Sequence, residues 1–240
     1  MDAPTIIFPE FNNTTDARIY ASKHFPQFSD VEFTKDDDDA FGRSATYHGE
    51  IGDKLLRVKG DGDVEYMHMD VPWTEVEEED FPRDVARACS TAFLEDHGGI
   101  GPYEEANVYE SGSYGTHGFD AIAAHTFVYH KRYDGYLIRG FDDIMTTVTP
   151  IGPMVAGCVW RERQYGIVNE TRQVIPAEVA WWSARNATHN DIREDMHIDH
   201  VELCYYYERS YAMPTVLYPA WRFSGDVEIF VNAFTGDVMD

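Results

Sequence analysis

Leu217-Tyr-Pro-Ala-Trp-Arg-Phe223, Ser224-Gly225-Asp226, Val227-Glu-Ile-Phe-Val-Asn-Ala-Phe234 and Thr235-Gly236-Asp237-Val238 follow one another near the end of this 240-residue chain. Two stretches rich in aromatic and β-branched residues flank a three-residue connection of turn formers, which predicts a β-hairpin. Thr235-Gly236-Asp237 supplies turn chemistry where the second strand should stop. The Trp221 ring is expected to fill core, with its indole N–H donating to a backbone acceptor.

Working back from the hairpin, a strand is expected at 197–208. Before it, Pro176-Ala-Glu-Val-Ala-Trp-Trp-Ser-Ala-Arg185 reads as a helix with proline in its first turn. The same order, a helix and then strands, occurs twice more upstream. A helix is expected over 78–95, with Ala86, Cys89, Ala92 and Phe93 spaced as a core-facing stripe. His97-Gly98-Gly99 should stop it, glycine serving as the cap. Past a loop containing Gly112, Gly115 and Gly118, strands are expected at 124–132, 135–138, 143–149 and 154–161. The first pass has Thr14 and Thr15 as capping candidates, a helix over 16–24 and a break at Pro26. Its strands are expected at 31–34, 42–49, 55–59 and 64–70, with Gly60-Asp61-Gly62-Asp63 as a hairpin turn. The class is therefore α+β: tandem units of one helix packed on an antiparallel β-meander, at 1–75, 76–165 and 166–240. No long Pro/Gly/Ser linker lies near 72–77 or 162–176, so the units are expected to pack rather than swing.

The closing hairpin resembles that of PepSY-type domains, whose usual form is close to Pro-x-Trp-x-Val followed by Tyr-Val-Asp-Ala-x-Thr-Gly-Glu-Val. In the second pass, Phe127-Val-Tyr-His-Lys-Arg-Tyr-Asp-Gly-Tyr-Leu-Ile-Arg-Gly140 leads into Ile144-Met-Thr-Thr-Val-Thr149 and a Pro150-Ile-Gly152 turn. This is similar to a hairpin in the propeptide domains of thermolysin-type metalloproteases and in membrane-anchored PepSY-type regulators. The likeness covers roughly residues 120 to 240, and residues 1 to 75 only by pattern. Gly135-Tyr136-Leu137 departs from the usual Gly-Ile-Pro, and Asn232 stands where Asp is common. The resemblance implies a PepSY/cystatin-like fold that binds, inhibits or regulates. No protease domain follows in the chain, so a propeptide acting in cis is not expected.

The net charge of −24 governs the electrostatics. Nucleic acid is not an expected partner, because no basic stripe exists to neutralise phosphates. Lysine occurs only at Lys23, Lys35, Lys54, Lys59 and Lys131, while Asp is abundant. An acidic, lysine-poor surface suits high ionic strength, where salt screens self-repulsion, and points to a halophilic, archaeal source. No stretch has the roughly 18 to 20 apolar residues that span a bilayer, and the opening residues are not expected to act as a signal peptide. Cys89, Cys158 and Cys204 are too few and too dispersed for a disulfide framework or zinc knuckle. Three buried free thiols are the expectation, one disulfide plus a free thiol the alternative.

The densest polar cluster is Asp191-Ile-Arg-Glu-Asp-Met-His-Ile-Asp-His200. His and carboxylate side chains suit zinc, but the spacing matches no catalytic set, and a solvated loop leading into a strand is the plainer reading. On a strand, His197 and Asp199 would share a face and His200 the other. Tyr66 and His68 share a face, with His68 read as a structural histidine. His125 and His130, an odd number apart, would face opposite sides of one regular strand, and His117 lies in the loop before them. Asp36-Asp37-Asp38-Asp39 with Glu32 offers calcium ligands without an EF-hand spacing, so a solvated acidic loop is expected. The glycine-rich loop at Gly112, Gly115 and Gly118 lacks the lysine and helix of a phosphate cradle.

No catalytic, cofactor or metal residues are therefore assigned. The expected function is that of a non-enzymatic module engaging a protein partner, a protease or a signalling protein, through sheet edges or helix faces. Its expected location is extracytoplasmic or at the cell surface, with the cytoplasm left open. Two alternatives stand beside it: a metal-dependent hydrolase built around His197 and His200, and a small-ligand carrier with an aromatic pocket near Trp181, Trp182, Tyr205, Tyr206 and Tyr207.

Overall fold

In the computed structural model, residues 1, 3–7, 9, 11, 13–36, 45–60, 62–71, 76, 81–99, 103–111, 124–139, 143–150, 154–161, 164–166, 172–187, 196–206 and 216–239 are described. In chain order their elements are β1 (Thr5–Ile7), α1 (Thr14–Ala21), β2 (Thr34–Lys35), β3 (Thr46–Ile51), β4 (Lys54–Lys59), β5 (Asp63–His68), α2 (Arg83–Asp96), β6 (Tyr103–Ser111), β7 (Ala124–Tyr133), β8 (Tyr136–Arg139), β9 (Asp143–Thr149), β10 (Met154–Arg161), β11 (Gln164–Gly166), α3 (Ala177–Asn186), β12 (Ile198–Tyr206), β13 (Tyr218–Gly225), β14 (Glu228–Asn232) and β15 (Val238–Met239). The class is α+β, with antiparallel pairing dominant. The chain divides into a larger unit (Phe8–His130 and Asp143–Glu162) and a smaller one (Met1–Ile7, Lys131–Asp142 and Arg163–Asp240).

In the larger unit, α1 is capped by Asn13 rather than by Thr14 or Thr15. Asn13 Oδ1 accepts from the backbone N–H of Thr15 (2.9 Å) and Asp16 (3.0 Å), and Asn satisfies the free first-turn donors at least as well as Thr. The helix stops at Ala21, short of the expected His24, and the chain tightens into a 3-10 turn at Pro26–Phe28. The second helix starts at Arg83 because Pro82 is held extended (φ −63°, ψ 140°). Its buried face is Ala86, Ser90 and Leu94, not the expected stripe. Ala92 is exposed, while Cys89 and Phe93 pack at the core margin. Ser90 tolerates burial because its hydroxyl bonds the Tyr129 hydroxyl (2.8 Å) and Thr146 Oγ1 (2.5 Å). Glycine ends the helix as expected: Gly98 has φ +108°, and the Gly99 N–H returns to the Leu94 carbonyl at 2.7 Å.

The strands of this unit run β7-β9-β10-β5-β4-β3-β2, and β6 pairs with β7. Antiparallel pairing of β5 with β10 joins the first two passes of helix and strands, and one core runs through both. Phe25, fully buried, stacks on Tyr66 (5.4 Å, 6°) and meets Phe93 and His97 of the α2 region at 6.3 and 4.9 Å. Arg161 Nε reaches the buried carboxylate of Asp63 at 3.0 Å.

In the smaller unit the order is β15-β14-β13-β12-β8, β8 forming a hairpin with the end of β7. Asp134 (φ +49°) and Gly135 (φ +81°) make its two-residue turn, as the Asp-Gly pair predicts. The β13–β14 hairpin forms one residue later than read from sequence: Ser224 pairs with Glu228, leaving Gly225-Asp226-Val227 as the connection. Gly225 is required less for turn geometry than for space, since a Cβ there would lie 2.2 Å from the His197 carbonyl oxygen. The Trp221 indole donates to the Ile175 carbonyl at 2.8 Å, as expected. Asn232 accepts from the N–H of Phe234 and Thr235 at 2.9 and 3.2 Å, the turn-forming work an aspartate would do. On one face, Ala180 and Ala184 of α3 pack with Phe223, Ile229 and Val231. β1 pairs antiparallel with β11, and the Leu217 N–H donates to the Pro4 carbonyl at 2.9 Å.

None of the three cysteines is in a disulfide; Cys158 and Cys204 are buried and Cys89 is half-buried. Burial pushes the Cys158 thiol far up, and burial together with the Glu202 charge pushes Cys204 up to about 12. Ionised thiols are the reactive species, so Ellman's reagent is expected to reach only Cys89 in the native chain and all three thiols in denaturant. The unfolded thiols ionise near pH 8.5. Stability from these two groups is thus complete below that pH and is lost as pH rises toward their folded values; alkaline titration of urea midpoints checks it.

Candidate functional site

Ile-Asp-His-Val-Glu-Leu-Cys-Tyr-Tyr, the sequence of β12, changes character along its length: Asp199, His200 and Val201 are exposed, whereas Cys204 and Tyr205 are buried. One edge of β12 pairs with β13 from Ile198 to Tyr206. The other pairs, in parallel, with β8 only at Tyr205 and Tyr206. Among the described residues, no strand pairs with 198–204 on that second edge. An open edge offers alternate backbone N–H and C=O groups to an added strand.

A bulge at Asp199, between the pairs Ile198–Gly225 and His200–Ser224, resets the alternation of side chains. Ile198 and Val201, three residues apart, therefore both line one groove, beside this edge and against α3. The groove, of about 460 Å³, is also walled by Glu178, Trp181, Met196 and Phe223. Its lining is mostly apolar, and Val201 is 44% exposed there. The bulge is anchored by Asp226, whose Oδ2 accepts from the His197 N–H at 2.9 Å.

Opposite faces of β12 differ sharply. On the face carrying Glu202, one carboxylate oxygen accepts from Arg139 of β8 and Arg222 of β13, each at 2.8 Å, and Arg222 also holds Glu228. Two arginines thus balance two glutamates. Burial alone would push the Glu202 carboxyl up, but hydrogen bonds and charge from Arg139 and Arg222 prevail and hold it below the ordinary glutamate value. The sign follows: this stability is present above pH ~4.3 and is lost as pH falls through the folded pKa. Glu202→Gln is expected to cost about 2 kcal/mol at pH 7, leaving two guanidinium groups half-buried with a weaker acceptor. It should also flatten the acid limb of stability against pH; an unchanged acid limb would assign that limb to other groups.

The residues singled out from sequence fall in several places. His197 pairs with Asp199 at 3.0 Å and His200 approaches Glu202 at 3.7 Å, so each imidazole has its own carboxylate. Both are well exposed. Among the described residues, no three His, Cys, Asp or Glu side chains converge as a metal site, and Asp191, Glu194 and Asp195 lie outside the described residues. The hydrolase reading therefore finds no assembled site among the described residues. Asp36 pairs with His48 at 3.0 Å, while Asp37, Asp38 and Asp39 lie outside the described residues, as do Gly112, Gly115, Gly118 and His117. His68 pairs with Asp53 at 3.0 Å. Burial, Asp53 and Cys158 raise the Tyr66 hydroxyl above its usual range. His125 and His130 are both buried, because β7 is covered on both faces at those positions. The His125 Nε2–H donates to the Phe81 carbonyl at 3.0 Å.

The expected aromatic pocket is divided. Trp181 lines the groove beside β12, whereas Trp182 is exposed, under the Arg185 guanidinium at 5.4 Å, along a different groove with Asp237 and Val238. Tyr205 is buried against Tyr133 and Tyr136, and Tyr206 stacks on Phe230 at 4.3 Å. Tyr207 lies outside the described residues. Sequence reasoning passed over Val201 and Glu178, whose signal, an exposed Val beside Asp-His at the start of a strand, is faint. Among the described residues, no helix is long and apolar enough to cross a membrane.

No family model matches the chain, and no curated protein matches it. Solved structures do. The C-terminal domain of YpeB from Bacillus megaterium superposes with a TM-score of 0.52 at 14% identity, over 97% of each chain. An uncharacterized protein from Eubacterium rectale gives a TM-score of 0.57 at 9% identity, over 100% of this chain and 85% of that one. At such identities the likeness is one of fold.

Proposed function

We propose that the chain is a non-enzymatic, PepSY-like regulatory module that binds an extended segment of a protein partner along the open edge of β12. The observation that carries this reading is the coincidence of a strand edge, unpaired among the described residues, with an apolar groove beside it. Strand addition uses the backbone edge for affinity and the groove for side-chain selectivity. The resemblance of the closing hairpins to those of PepSY-type domains supports a regulatory rather than a catalytic role, and the fold shared with the YpeB C-terminal domain is compatible with it. Three helix-and-meander passes, at 1–75, 76–165 and 166–240, belong to the same reading. So does a location outside the cytoplasm, in a salty setting that screens the charge of −24.

The test is selection of a displayed random-peptide library on the full chain and, in parallel, on Val201→Asp. Peptides enriched on the first and lost on the second, which also slow amide exchange of residues 198–204, support the reading. Enriched peptides indifferent to Val201 and leaving those amides unchanged would contradict it.

A further inference from the structure

The groove has a charge as well as a shape. Its α3 wall carries Glu178, the β12 bulge beside it carries Asp199, and the connection that anchors the bulge carries Asp226, all three exposed. The arginines of the neighbouring strands are committed on the opposite face: Arg139 and Arg222 are held by Glu202 and Glu228. Among the described residues, the side chain at Asp199 is the His197 imidazole, at 3.0 Å. An apolar slot is thus rimmed by carboxylates that no described lysine or arginine neutralises, on a chain whose net charge is −24.

Resting on the β12-edge reading, we infer that the segment bound there is basic: an extended peptide that sets one aliphatic side chain between Trp181 and Val201 and carries Lys or Arg on either side of it. The complementarity is spatial. The stretch 198–204, unpaired on its second edge among the described residues, spans about 20 Å at the rise of a strand, room for a peptide of roughly six or seven residues. The apolar residue is desolvated between Val201, Phe223 and the Trp181 ring. Cations placed two positions from it along the added strand lie on its own face, and those one position away point to the other. Those on its own face come within reach of Glu178 on the helix wall or of Asp199 and Asp226 at the bulge. Charge at such a rim acts mostly on encounter rate and is weakened by salt.

Three synthetic peptides of one alternating pattern test it, each with a central Leu and flanking positions filled by Lys, by Ser or by Glu. Binding to the full chain is read by fluorescence anisotropy, and placement by the exchange of amides 198–204. The Lys peptide is expected to bind about tenfold more tightly than the Ser peptide at low salt, and the Glu peptide more weakly still. That advantage should shrink severalfold as salt shortens the screening length, and Glu178→Gln with Asp199→Asn should remove most of it. Val201→Asp should weaken all three peptides. Equal affinity of the Lys and Ser peptides, with 198–204 still protected, overturns the basic-partner inference and leaves the edge reading standing. Preference for Lys that survives Glu178→Gln/Asp199→Asn also overturns it, assigning the preference to net charge alone. Failure of all three to protect those amides overturns both.

Discussion

Gly225→Ala is expected to destabilise the smaller unit by about 3 kcal/mol, at the upper end of what overpacking ordinarily costs. The added methyl would sit 2.2 Å from the His197 carbonyl oxygen and 3.0 Å from the Asp199 amide nitrogen. Both neighbours are backbone, so no side chain can rotate away; the start of β12 must separate from the end of β13. Urea unfolding followed by tryptophan fluorescence reads the loss, and faster exchange of amides around 198–200 locates it. Gly157→Ala is the control: its methyl meets nothing closer than the Tyr66 carbonyl at 3.7 Å, ordinary contact, and a shift below about 1 kcal/mol is expected. Equal effects from the two substitutions would mean that close approach of β12 and β13 is not what requires glycine.

Phe25→Ala is expected to cost about 4 kcal/mol, from lost burial and the cavity left behind. The more informative quantity is where the damage spreads. Phe25 follows α1 in sequence but touches Tyr66 on β5, Phe93 on α2 and His97 just beyond it. Amides of α2 should therefore lose protection together with those of β3 to β5, in one cooperative transition. Phe25→Leu, which keeps most of the apolar volume, should cost roughly 1.5 kcal/mol. Loosening confined to the first 70 residues would show that the two passes do not share a core.

Much of the architecture was legible in sequence because its information is local. β9 and β10 fall at the expected bounds, since alternating apolar residues and a Pro-Gly-containing turn leave little freedom. The Asp134-Gly135 turn and the glycine end of α2 follow from dihedral chemistry alone. What escaped reading was set at a distance. Tyr103–Ser111 forms β6 with three acidic residues in nine, a composition poor in strand formers, which the pairing with β7 overrides. Ser90 looked polar, yet it belongs to the buried face because partners on β7 and β9 await its hydroxyl. The candidate site was the least legible. His200, chosen for its chemistry, proves to be one residue from the side chain that lines the groove. Neither the bulge at Asp199 nor the early end of the β8 pairing leaves a mark in the local pattern.

The pairing of Thr5–Ile7 with Gln164–Gly166 sets an order of events during synthesis. The chain segments of the larger unit are all in hand once Glu162 has been made, whereas the first strand must wait for residues 164–166, and Pro4 for Leu217. At ordinary translation speeds the first strand waits roughly 10 to 30 seconds. Once Glu162 has been made, the nascent chain carries one unit whose segments are complete while the other still waits for residues 163–240. A ribosome that stalls before Gly166 leaves the Thr-Ile-Ile segment with no strand to join. The smaller unit, which bears the groove, is therefore assembled last and depends on an uninterrupted passage to the C-terminal hairpin.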